Sequence, residues 1–303
     1  MSPREAFEAR APIPIEPLPG GGTAVDIWLV DVDDAADALE REEARSPRLP
    51  RADSEAMAVA FGNIHVRRRR LAHIALRLAL ARATGGSRFD GVDFHRSEMG
   101  KPSLPGGGLA FNLSHAGPAA LIAIARREDV AIGIDLEERR ALHLTASRRD
   151  RILAAADAMS PGAPLAATGS DDAVLQAWVR IEAAAKALDT GIFRLLGALG
   201  VAGPGEAAAV AEGVAAGGGI DLAAAFSAAT GGKGAPCIRV RDIDPCGGDA
   251  PSIVSRCPDL FAAVAVVAPR SEAAIEVAER GVVQAFPTTD AGIAHFLAPS
   301  GAP

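Results

Sequence analysis

Val130-Ala131-Ile132-Gly133-Ile134-Asp135-Leu136-Glu137 reads as a β-strand that begins apolar and ends in carboxylates. Successive strand side chains point to opposite faces, so Asp135 and Glu137 project together from one side while Ile134 and Leu136 project from the other. A third acid, Glu182, lies in Trp178-Val179-Arg180-Ile181-Glu182, within a later segment of helical spacing. Oxygen donors of this kind suit a hard divalent cation, Mg²⁺ or alternatively Mn²⁺, which takes a few protein ligands and completes its shell with water and substrate phosphates. A phosphate-bearing substrate is the expectation. Taken alone, Asp135 and Glu137 could also line an ordinary exposed strand face.

Upstream, Ala119–Ala125 is a second apolar run, joined to Val130–Leu136 by the charged tip Arg126-Arg127-Glu128-Asp129. The pair is expected to form a β-hairpin, with the acidic strand near the centre of its sheet. Before it come a short strand over Phe89–Phe94, a turn at Gly100-Lys101-Pro102, and Phe111-Asn112-Leu113-Ser114-His115 at the end of a further strand. Ser114 and His115 are neighbours on a strand and point to opposite faces, so they cannot easily share a proton as a hydrolase dyad would. Anion contact is the better use, because hydroxyl and imidazole both donate to phosphate oxygens and Lys101 can add charge.

The stretch Ser54–Ala83 has helical spacing, with Leu71, Ile74, Ala75, Leu78 and Ala81 forming an apolar stripe. Around that stripe lie Arg67, Arg68, Arg69, Arg70, Arg77 and Arg82, either a solvated face or a phosphate clamp. Nearer the N-terminus, Val25, Ile27 and Leu29 alternate as in a strand, and Asp33–Arg45 reads as a helix. Residues 1–22 are rich in proline and glycine and are expected to be a flexible arm.

Downstream, Arg139–Arg151 reads as a basic loop. Ser170–Leu188 reads as a helix capped by Ser170 or Asp171, burying Val174, Leu175, Trp178, Ile181 and Ala185 while Glu182 and Lys186 share its other face. Residues 197–219 are Ala/Gly-rich and are expected to be a surface insertion. Ile220–Ala225, Cys237–Arg241 and Leu260–Val267 are expected strands, and residues 271–303 form a tail with one helix and no assigned role.

At 303 residues the chain can hold one large domain or two smaller ones, and two are expected, over 23–127 and 128–270. The hydrophobic fraction is 49%, but Tyr is absent and aromatics are only 4%, so the core must be aliphatic and fine-grained. A net charge of −7 excludes general binding to nucleic acid, which needs a basic footprint. Cys237, Cys246 and Cys257 lack disulfide parity and zinc-ligand spacing, so they read as reduced thiols of a cytoplasmic protein. The N-terminus does not read as a signal peptide, and the apolar run Leu260–Ala268 falls far short of the roughly 20 residues that span a bilayer. No membrane partner is expected.

Gly100-Lys101-Pro102, Phe111-Asn112-Leu113-Ser114-His115, Gly133-Ile134-Asp135-Leu136-Glu137 and Trp178-x-Arg180-x-Glu182-Ala183-x-x-Lys186 stand in this order along the chain. Together they resemble the ordered signature of the 4′-phosphopantetheinyl transferases, in the broad-specificity subfamily that activates synthases and peptide synthetases. The resemblance extends from Val25 to about Val267. It implies an α+β fold of two similar halves related by a pseudo-twofold axis, each a helix on a small, mostly antiparallel sheet, with coenzyme A in the cleft between them.

The implied reaction moves the phosphopantetheine arm of coenzyme A to a serine of an acyl- or peptidyl-carrier protein and releases adenosine 3′,5′-bisphosphate. The resemblance makes Asp135, Glu137 and Glu182 the Mg²⁺ ligands, with Glu182 the proton acceptor, and puts Lys186 on the diphosphate. It assigns His115 to a phosphate, Lys101, Pro102 and Ser114 to contacts near the adenosine end, and arginines such as Arg69, Arg70 and Arg77 to the same end. The chain is expected to act as a monomer.

Two positions depart from the family pattern: Ile181 stands where a lysine is usual, and Ala116 where serine is common. On this reading the loss of the lysine weakens coenzyme A binding, and Ile181→Lys should tighten it. Two other functions stay open on the sequence: a metal-dependent nucleotide or coenzyme A phosphohydrolase, and an inactive homologue that binds coenzyme A or carrier proteins.

Overall fold

The computed structural model describes residues 25–53, 62–86, 89–127, 129–165, 169–201, 220–232, 237–245, 259–268 and 283–298. The expected arm over 1–22, and 202–219 of the expected insertion, lie outside the described residues. The fold is mixed α+β, built as two sheets packed face to face with a long helix on the outer side of each.

The first sheet has the order β4-β5-β1-β9, from β1 (Val25–Asp31), β4 (Ala110–Ala116), β5 (Ala119–Ala125) and β9 (Val283–Ala285). Its pairs are antiparallel except β1 with β9, which run parallel. β2 (His95–Arg96) and β3 (Pro102–Ser103) form a separate small hairpin. The second sheet is antiparallel, in the order β6-β8-β7, from β6 (Ala131–Glu138), β7 (Cys237–Ile243) and β8 (Leu260–Ala268).

Helix α1 (Ala36–Arg45) leads to α2 (Ile64–Thr84), which Asn63 caps by accepting from the backbone N–H of His65 and Val66. Leu71, Ile74 and Leu78 of α2 pack on Trp28, Val30, Ile122 and Ile124 of the first sheet. Every residue of β1 is buried, because its alternate side chains meet α2 on one side and the second sheet on the other. Strand periodicity is present there but carries no polar face.

On the far side, α4 (Asp171–Ala187) lies across β6 and β8 and packs on α3 (Ala146–Met159). Ser170 is its N-cap, accepting from Ala173 N at 3.2 Å. Asp171 instead accepts from Leu142 N at 3.0 Å and pairs with Arg149 at 2.6 Å. Short helices α5 (Ile192–Ala198) and α6 (Leu222–Ala229) complete this layer.

Several expectations are corrected. Ala119–Ala125 and Val130–Leu136 do not form a hairpin. β5 is already paired on both edges, by β4 through the tight turn at Gly117 (φ 51°) and by β1, so the chain crosses to the second sheet instead. Phe89–Phe94 is not a strand; Phe89 is buried under α2 and the strand begins at His95. Ile220–Ala225 is not a strand either: Asp221 accepts from Ala224 N at 3.0 Å and starts an Ala-rich helix. The basic stretch becomes α3 from Ala146 onward, capped by Thr145.

The tail also has a place in the fold. β9 extends the first sheet, and α7 (Asp290–Leu297) sets Phe296 against Trp28, ring centroids 6.0 Å apart.

β4 and β6 are edge strands of different sheets, yet they run side by side. The buried Asn112 Oδ1 accepts from Ile134 N at 2.9 Å, a side chain taking the place of a ladder bond between sheets. Removing it would strand a buried N–H, which costs about 1–3 kcal/mol. Asn112→Ala should therefore lower the unfolding free energy by about that amount in urea denaturation; an unchanged midpoint would show that the bond contributes nothing.

Candidate active site

The seam between β4 and β6 opens into a cavity of about 520 Å³. β4 and its turn contribute Ser114, His115 and Gly117; β6 contributes Asp135, Glu137 and Glu138; Arg139 and Arg140 follow it; α4 adds Glu182 and Lys186. The three carboxylates of the sequence reading, Lys186, Ser114 and His115 thus share one wall-lined space.

A glycine sets this arrangement. A Cβ on Gly133 would come within 2.1 Å of the Ala183 carbonyl oxygen and 2.5 Å of Ala187 N, so α4 lies directly on the β6 backbone. At that separation Lys186 Nζ donates to Asp135 Oδ1 at 2.6 Å, Ile134 O at 3.1 Å and Ser114 Oγ at 3.1 Å. Ser114 Oγ in turn donates to Asp135 Oδ1 at 3.0 Å. Glu182, one turn earlier, faces the same strand, and only it and Lys186 break an otherwise buried run on this part of α4.

Like charges meet here. The Glu182 carboxyl is pushed up to about 7, first by burial, then by the charge of Asp135, with Glu137 and a hydrogen bond to Asp135 adding and Lys186 opposing. Asp135 is 2% exposed, and its second oxygen, Oδ2, is buried without a fixed donor. Glu137 is ion-paired with Arg140. Among the described residues no three His, Cys, Asp or Glu side chains are gathered closely enough to enclose a metal as they stand. Asp135 and Glu137 are turned to cations of the chain itself. The donor set nevertheless fits a hard cation: three carboxylates on one cavity, one of them with a buried oxygen lacking a donor.

The basic helix divides in two. Arg68 binds Asp33 through Nε and Nη2 at 3.0 and 2.5 Å, and Arg67 pairs with Glu40, tying α2 to α1 and the turn before it. Arg77, 3% exposed, donates to Phe89 O at 2.6 Å and stacks 3.7 Å above the Phe94 ring, and Arg82 donates to Phe296 O. Arg77 is therefore a core residue, not a wall of the cavity. Arg69 is exposed, Arg70 is half-buried, and neither pairs with a described carboxylate. The charge of Arg69 acts on His115, whose imidazole is held low first by desolvation, then by Arg69 and Lys186.

Lys101 and Pro102 lie elsewhere. Lys101 Nζ donates to Ala187 O at 3.2 Å at the end of α4, where burial lowers it to about 8 against the pull of Asp189. Pro102 pairs with Arg96 in the small hairpin. Neither lines the cavity.

Ile181 overturns the expectation attached to it. It is fully buried with α3, β8 and α5 residues, on the side of α4 away from the cavity, so it replaces no phosphate contact. Arg180 cannot substitute either: it is fully buried and binds Asp242 through Nε and Nη2, both at 2.6 Å.

One residue near the site was not read from the sequence: His73 lies four positions after Arg69, one turn along the same face of α2, and feels both Arg69 and His115. Arg140, which the sequence offers as a docking arginine, lines the cavity and pairs with Glu137 three positions earlier.

Comparison with models of known protein families gives no match, and no curated protein matches the chain.

Two outcomes follow from the geometry. Ile181→Lys places an ammonium in the core and should cost about 3 kcal/mol or more, with no gain in coenzyme A affinity. Calorimetry and a binding titration on the same variant check both, and tighter binding at unchanged stability would refute the placement. His73 is held down to about 4 from an ordinary 6.5, mainly by burial. The unfolded chain therefore takes up a proton first as pH falls, so His73 contributes stability above about 6.5 that is lost toward about 4. Denaturation at several pH values should show that slope in the wild type and lose it in His73→Gln.

Proposed function

We propose that the chain is a 4′-phosphopantetheinyl transferase, moving the phosphopantetheine arm of coenzyme A to a serine of an acyl- or peptidyl-carrier protein. The observation that carries the reading is the meeting of Asp135, Glu137, Glu182 and Lys186 with Ser114 and His115 in one cavity at the β4–β6 seam. Those residues come from separated sequence motifs, and the reaction needs them together. The family resemblance of these motifs supports the same assignment, as does the layering of two sheet–helix units; their relation by a pseudo-twofold axis is part of the proposal.

Asp135, Glu137 and Glu182 would hold Mg²⁺, with Mn²⁺ an alternative, and the ion would neutralise the diphosphate and stabilise charge on the leaving oxygen. Lys186 is already anchored at the carboxylates, where its ammonium meets a diphosphate oxygen. On this reading Glu182, on the cavity beside Asp135, also takes the proton from the carrier serine. The serine oxygen then bonds to the phosphorus of the pantetheine phosphate, the phosphoanhydride bond breaks, and adenosine 3′,5′-bisphosphate leaves with the electron pair. His115 and Ser114 donate to phosphate oxygens, and Arg69 and Arg70 are the members of α2 left to meet the far phosphate.

The acidic carrier protein would dock by local charge. Of the four arginines that the sequence offers for docking, Arg139 and Arg140 line the cavity, paired with Asp172 and Asp259 and with Glu137, and each retains exposed surface on which a partner carboxylate can compete. Arg126 and Arg127 lie at the opposite end of β5, paired with Asp26 and Asp129.

Incubation with coenzyme A, Mg²⁺ and a panel of apo carrier proteins should add the arm to a carrier serine, read by mass spectrometry. Coenzyme A cleavage or phosphate release without a carrier would instead favour a phosphohydrolase, and binding with neither product an inactive homologue. Glu182→Gln should keep the far-ultraviolet circular dichroism spectrum and lose transfer by about 10²-fold or more. Full activity in that variant would reject Glu182 as base and ligand.

A further inference from the structure

The cavity acids hold two internal cations of different standing. Lys186 is fixed by three acceptors, Asp135 Oδ1, Ile134 O and Ser114 Oγ, on a helix seated directly on β6. Arg140 lies beyond the end of β6, its side chain 50% exposed, and its ion pair is with Glu137, itself 23% exposed. Its other bond is a long one, 3.5 Å to Glu138 O. Lys186 is therefore part of the wall, whereas Arg140 is a half-solvated side chain that can swing away at little cost.

Glu137 Oε2 is turned to Arg140, while Asp135 and Glu182 interact, with Asp135 Oδ2 buried and lacking a fixed donor. A cation entering beside Asp135 that recruits Glu137 meets the Arg140 guanidinium on one of its oxygens.

We propose that Arg140 is an internal competitor for the metal at Glu137: cation binding displaces its guanidinium from the carboxylate and leaves it free at the cavity mouth for an anionic group of the substrate or partner. The inference rests on the metal reading of the preceding section. Exchange of one cation for another keeps the charge at Glu137 compensated in both states, and it couples loading of the site to the exposure of a positive group beside it.

The test is a Mn²⁺ titration of the full chain, following free Mn²⁺ by electron paramagnetic resonance, in the wild type and in Arg140→Gln, Glu137→Gln and the double variant. An exposed ion pair of this kind sets the scale: Arg140→Gln should bind Mn²⁺ about threefold tighter at low ionic strength. The gain should vanish in the Glu137→Gln background. Equal or weaker binding by Arg140→Gln overturns the competition while leaving the metal site standing. A gain that persists without Glu137 overturns it too, because general charge removal would then explain the effect. If neither the wild type nor Arg140→Gln binds Mn²⁺, the metal reading itself fails, and this inference with it.

Discussion

The structure depends on a close contact between a helix and a strand. α4 can lie on β6 only because position 133 has no side chain, and that separation puts Lys186 within reach of the Ile134 carbonyl and the Asp135 carboxylate. A larger residue would lift the helix by the width of a methyl group, and the ammonium would lose acceptors at 2.6 to 3.1 Å. Packing and site chemistry are the same contact here. The glycine of the acidic strand motif is explained by sterics before any ligand is considered.

Around that contact the charges form a compensated set. Three acids face one cavity; burial first, and then the charge of Asp135, raises the proton affinity of Glu182, and two basic side chains of the chain hold the other two acids. On the proposed reading, a divalent ion taking the place of Arg140 at Glu137 would raise the positive charge there from one to two and bring a centre of high charge density into the cavity. In α2, Arg67 and Arg68 neutralise Glu40 of α1 and Asp33 just before it, and Arg77 and Arg82 donate to backbone carbonyls.

The helical spacing of α4 already put Ile181 on the apolar face with Val174, Leu175 and Ala185, which is where it lies. Expecting a phosphate contact there gave a motif position priority over the geometry of its own helix. The hairpin error is of another kind. Two apolar runs joined by a polar tip satisfy the local rule, but which neighbour a strand chooses depends on whether its edges are already taken, and β5 had partners on both sides. The role of the tail was illegible for the same reason: nothing local in Val283–Ala285 says that it will run parallel to a strand some 250 positions earlier.

What the sequence determined by itself is periodicity and sidedness: β1, β4, β5, β6, β7 and β8, the α1, α2 and α4 helices, and the shared faces of Asp135 with Glu137 and of Glu182 with Lys186. These follow from the strand and helix repeats, which are properties of a few consecutive residues. Only the tertiary structure decided which strands pair, that β4 and β6 meet through Asn112, and which cations are spent on the fold: Arg77 on Phe89, Lys101 on the end of α4, Arg180 on Asp242. An arginine has the same charge whether it clamps a phosphate or a carbonyl, and its neighbour in space, set by long-range packing, decides which it does.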